Sequence, residues 1–89
     1  MNLKHVGAEF AGTFVLVLVI LGVGYSLAVG ATLAGIVYFL STTSGGHVNP
    51  AVSLAMWLKG AIDTEKFVSY VVAQLAGAAS AYGVARAVF

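Results

Sequence analysis

Ser44 to Val52 read SGGHVNPAV, a polar break in an otherwise apolar sequence that holds the chain's only proline. Asn49 is a good helix N-cap, and Pro50 suits the first helical position, where its missing N–H costs nothing. A helix starting there directs free N–H groups and about half a positive elementary charge out of its N-terminus. That end repels cations and offers donors to a neutral or anionic guest, and the Asn49 amide adds N–H donors of its own. His47 has a ring that titrates near neutrality, and is read either as lining the same site or as a structural histidine bonded within the loop. This is binding chemistry, not covalent chemistry. No nucleophile–base pair or pair of carboxylates is visible, and the chain has no cysteine. His5 and His47 are far apart in sequence, so no catalytic residue, cofactor or metal site is expected. A net charge of +1 without a basic cluster argues against nucleic acid as a partner.

The elements that hold this break are read from composition. Hydrophobic residues make up 61% of the chain and charged residues 8%, against about a quarter charged in soluble domains. Phe10 to Leu58 carry no formal charge, and neither do Phe67 to Ala85. Since one crossing takes about 20 helical residues, the expectation is an all-α membrane protein with several passes. The pattern predicts one unit over 1–89, with spans at about 6–28, 29–43 and 65–88 and a re-entrant loop and half-helix at 44–59. Tyr25-Ser26 reads as an interfacial aromatic with a turn nearby, which would start the second span a few residues earlier. The short helix after Asn49 is apolar through Val52, Leu54, Met56 and Trp57. That favours re-entry into the membrane over a surface loop, and an irregular backbone at that depth needs a cavity beside it. A cleaved leader is disfavoured, because removing 1–30 leaves an apolar remainder and Glu9 precedes the would-be leader core. Small residues at helix-packing spacing (Ala8 with Gly12, Ala31 with Gly35, and Ala73, Gly77 and Ala81 in series) predict closely packed helices.

Three segments together resemble one family. SGGHVNPAV is similar to the first re-entrant loop of the aquaporins and glycerol facilitators, whose pattern is SG-x-H-x-NPA-V. Ala8 to Phe14, AEFAGTF, resembles the family's first-helix motif, and Ala73 to Ala78, AQLAGA, its third-helix motif. Members of the family are built from two inverted repeats, each of three spans and a half-helix, and this sequence resembles the first repeat. It has no second NPA, and the position of the arginine that follows the family's second motif is Val52.

The resemblance implies a passive channel for water, and for glycerol or another small neutral solute. Asn49, Pro50 and Ala51 would form its NPA tip. By spacing from the motif asparagine, the narrow filter would fall on Val29, Val37, Gly46 and Val52, with His47 nearby. The constriction would be wider and more apolar than in strict water channels. Glu9 would accept hydrogen bonds from the loop backbone, and Gln74 would tie helix to loop. One repeat cannot enclose a lumen, so the expected partner is a second copy in the opposite orientation, and four such pores would make an octamer. The expected location is the cell membrane, in contact with lipid.

The charge pattern pulls the other way. Lys4, Lys59 and Lys66 fall on one side and Arg86 on the other, which favours a single orientation under the positive-inside rule. The alternatives are therefore a partner for a separate chain carrying the second repeat, and a holin-like non-selective pore. Arg86 is expected to snorkel to the interface. Trp57 and Tyr25 are read as interfacial anchors, Tyr70 and Tyr82 as facing neighbouring helices or lipid, and Asp63, Glu65 and Lys66 as a solvated helix start.

Overall fold

Asn2 opens the first helix by accepting from the His5 N–H at 3.1 Å, and α1 runs Leu3–Gly22. The computed structural model describes residues 1–89, and its remaining helices are α2 Ser26–Leu40, α3 Pro50–Lys59 and α4 Thr64–Val88. The expected first span continued to residue 28, whereas α1 stops at Gly22 and Gly24 turns the chain with φ 77°. Its missing Cβ makes that conformation accessible. Hydropathy hides the turn because Val23 and Leu27 continue the apolar run on either side. α2 is displaced with it, to 26–40 in place of 29–43, and Ser41 to Ser44 form turns that lead into the polar loop.

α1 and α4 run parallel. The first residue pairs with Glu65 at one end, Glu9 meets Gln74 further along, and the Phe89 ring covers Gly22 at the other end. Ala73, Gly77, Ala81 and Ala85 recur at i, i+4 and are all buried, so α4 presents its smallest stripe to α1. A Cβ on Gly77 would lie 2.5 Å from the backbone oxygen of Phe10, an approach only glycine permits. α2 lies against α1, where Gly12 leaves room for Ile36, Leu40 and the loop residue Val48. The other expected stripe makes no contact of this kind: Ala31 is exposed and nothing lies within 4 Å of a Cβ on Gly35. α2 reaches Gly12 of α1 through Ile36 and Leu40, and Ala31 and Gly35 lie off that contact.

α3 packs on α4. The Trp57 ring stacks on Phe67 with centroids 4.8 Å apart, and Trp57 Nε1 donates to Thr64 Oγ1 at 3.2 Å. Gly60 ends α3 in the left-handed region. The chain is inverted relative to a soluble fold. Its buried side chains include Glu9, Thr13, Ser44, His47, Ser53 and Gln74, while Leu, Val and Phe side chains line the outside. Such a surface is at home in hydrocarbon, where lipid tails are as apolar as leucine. α1 and α4 are long and apolar enough to cross a membrane. α2, with 15 residues, spans about 22 Å, and α3, with 10, about 15 Å.

Candidate functional site: a groove at the tip of the half-helix

The loop before α3 could not hold its shape by apolar packing alone. Gly45 and Gly46 have φ of 95° and 66°, and Val48, a β-branched residue, sits at 44°. A non-glycine residue held there costs about 1–3 kcal/mol, and such a conformation persists only when its surroundings over-determine it. Glu9 does this. Its Oε2 accepts from Ser44 Oγ at 2.6 Å and from the His47 N–H at 3.1 Å. Its Oε1 accepts from the Val48 N–H at 2.7 Å and from Gln74 Nε2 at 2.9 Å. The carboxylate is fully buried, and these four donors take the place of water around it. Tyr70 adds a further tie, its hydroxyl donating to the Ser44 carbonyl at 2.6 Å.

Gln74 also donates to Ser53 Oγ at 2.9 Å, and Ser53 Oγ lies 2.8 Å from His47 Nδ1. The His47 ring meets Tyr70 edge-on with centroids 5.0 Å apart. At the end of the loop, Asn49 Oδ1 accepts from the Ala51 N–H at 2.8 Å, capping α3 with Pro50 in its first turn. The Asn49 side chain is exposed and its amide N–H group makes no hydrogen bond within the chain.

Beside this tip is a groove of about 500 Å³, open along one side of the molecule. Val37, Gly46, His47, Asn49 and Val52 line it together with Leu16, Leu33 and Met56. Gly46 fits there because a Cβ would come within 3.0 Å of the Val37 α-carbon. Val29 is not among the lining residues. It lies two turns back from Val37 on the same face of α2, about 12 Å along the helix. Pro50 and Ala51 form the start of α3 behind Asn49 and do not line the groove. Glu9 and Gln74 stand behind the loop, buried.

Sequence reasoning missed Ser44, Ser53 and Tyr70. Of the two settings read for Tyr70, neighbouring helices or lipid, lipid is excluded by its full burial, and its bond to the loop was not foreseen. The signal was the i, i+4 spacing of Tyr70 with Gln74, on the same face as the small residues of α4. Ser53 was signalled more weakly, as the one hydroxyl in an otherwise apolar half-helix.

A buried acid on α1 that clamps a polar loop, with the short helix α3 capped at a groove, is the arrangement that defines the site. The family model for major intrinsic proteins matches residues 1–89. The chain belongs to the major intrinsic protein family, a family of integral membrane proteins. It is 36% identical over 90 residues to aquaporin Z of Photorhabdus laumondii, covering 84% of this chain and 39% of that protein. With aquaporin Z of Brucella melitensis it shares 37% over 94 residues, covering 89% of this chain and 41% of the relative. With the propanediol uptake facilitator PduF of Salmonella typhimurium it shares 43% over 60 residues, covering 67% of this chain and 20% of the relative. The chain thus spans well under half the length of these curated relatives. No solved structure matches it.

Proposed function

We propose that the groove is one wall of a passive channel for water and for glycerol or a similar small neutral solute. The observation that carries this reading is the Asn49 tip, which directs an unpaired amide and the N-terminus of α3 toward an open groove walled by Val37, Val52 and Leu33. Apolar walls bind a solute weakly, while a few donors orient its oxygen. The positive end of α3 opposes cations, protons included. Channels named for water and for propanediol among the relatives support that solute range.

The opposite wall, in this reading, is a second copy inserted upside down, with α2 crossing the membrane as a third span in each copy. A two-fold axis in the membrane plane brings the two Asn49 tips together and covers both grooves. Val29, Val37, Gly46 and Val52 of each copy then narrow the two mouths, and four such pores assemble as eight chains in the cell membrane. The test is stopped-flow osmotic water and glycerol flux into liposomes containing this chain alone, with Asn49 and Pro50 variants as controls. The expected result is solute flux without dye leakage, lost in the Asn49 variants. Flux of large dyes would point instead to a non-selective lesion.

One observation favours a different second wall. Lys4, Lys59 and Lys66 sit at the same end of the bundle, where α1 and α4 begin and α3 ends, and Arg86 sits at the other. That distribution favours one orientation, and hence a separate partner segment in place of an inverted twin. A reporter fused to the C-terminus separates the two: activity on both sides of the membrane supports the inverted pair, and activity on one side sinks it.

A further inference from the structure

The hydrogen-bond chain behind the loop has only one consistent direction. Both hydrogens of the Gln74 amide are used, one toward Glu9 Oε1 and one toward Ser53 Oγ. Turning that amide over would set its oxygen against the Glu9 carboxylate, so the orientation is fixed. Ser53 Oγ therefore accepts from Gln74. Ser53 is fully buried, and its hydroxyl hydrogen must find an acceptor among its neighbours. Its only other partner is His47 Nδ1 at 2.8 Å. An acceptor at Nδ1 means a bare nitrogen there and the ring proton on Nε2. Nε2 makes no hydrogen bond within the chain. It lies beside Gly45, where a Cβ would come within 3.4 Å of it, and His47 and Gly45 are both lining residues of the groove.

We propose that Ser53, held by Gln74, fixes His47 as the neutral ring protonated on Nε2, making that N–H a second fixed donor on the groove wall beside Asn49. Ser53 is a positioning residue: it does not line the groove, but it decides which way the histidine faces electrically. A wall carrying two donors takes the oxygen of water or of an alcohol as an acceptor. The inference assigns a specificity role within the channel reading and rests on it, whereas the proton assignment itself does not.

The test is ¹⁵N NMR of histidine-labelled protein reconstituted in lipid, in a His5→Gln background so that one ring is observed. The expected wild-type spectrum has a protonated Nε2 and an unprotonated Nδ1. Ser53→Ala should lose this single pattern and give mixed tautomers, and Ser53→Thr, which keeps the hydroxyl, should retain it. In the same liposomes Ser53→Ala should change the glycerol-to-water permeability ratio, and Ser53→Thr should restore it. A wild-type ring protonated on Nδ1 overturns the proposal, and this spectrum decides even where Ser53→Ala fails to fold. An unchanged tautomer in Ser53→Ala, or mixed tautomers with an unchanged permeability ratio, also overturns it. The expected tautomers in a wild-type chain that passes no solute support the relay and count against the channel.

Discussion

Removing the Glu9 carboxylate would strand four donors at once, since Ser44, His47, Val48 and Gln74 all converge on it. Each unsatisfied buried group costs about 1–3 kcal/mol, so Glu9→Ala is expected to destabilise by several kcal/mol and to release Val48 from its strained φ. Thermal unfolding in detergent, read beside the yield of assembled protein, checks this. A selectivity change at unchanged stability would contradict it. Asn49→Ala is a different case. Loss of the cap costs about 1 kcal/mol, so the variant should fold yet lose most solute flux, which separates the donor's role from the scaffold's. Glu9 and Gln74 were readable in the sequence because a strongly polar side chain in an apolar run has to find partners. Ser44, Ser53 and Tyr70 were not, because a hydroxyl can satisfy itself on its own helix or at an interface. Only the folded loop shows that these turn inward.

At the scale of the helices, one glycine decides how near α1 and α4 approach. A methyl at Gly77 would meet the backbone of Phe10 and Phe14, and backbone cannot swing aside as a side chain can. Gly77→Ala should cost about 1–3 kcal/mol, as overpacking does. Gly83→Ala, with nothing within 4 Å of its Cβ, should be neutral or gain up to about 1 kcal/mol from helix propensity. Equilibrium unfolding of the two variants in mixed micelles makes the comparison, and equal losses would mean that the α4 stripe is not what sets the contact. That stripe was legible because small residues recur every four positions and few other reasons produce the pattern. The Ala31–Gly35 pair has the same pattern but no partner within the chain, since spacing says that a helix can pack closely and not against what. The end of α1 was set too late, at 28, for a related reason: the residues on either side of the turn are as apolar as the helices they join. Tyr25-Ser26 had nonetheless marked a turn nearby, and α2 does begin at Ser26.

For the molecule as a whole, the groove's open side and the unpartnered small residues of α2 leave the fold asymmetric. One flank is closed by α1 against α4, and the other is unfinished. If a second copy finishes it, Gly35→Leu should weaken the pair while leaving the single chain's unfolding unchanged, as measured by sedimentation in detergent. The parallel course of α1 and α4 has a further consequence, for how two copies can be joined. It puts Met1 beside Glu65 at one end and Phe89 beside Gly22 at the other, at opposite ends of a body 38 Å long. In an inverted pair, the tail of one copy then emerges on the same membrane face as the head of the next. A short polar tether along that face would join them head to tail, whereas a pair in the same orientation would need an added crossing to be joined. With α2 crossing as a third span, as proposed above, duplication of this unit in one reading frame would produce the inverted arrangement by counting crossings alone, before any residue at the interface had adapted to it.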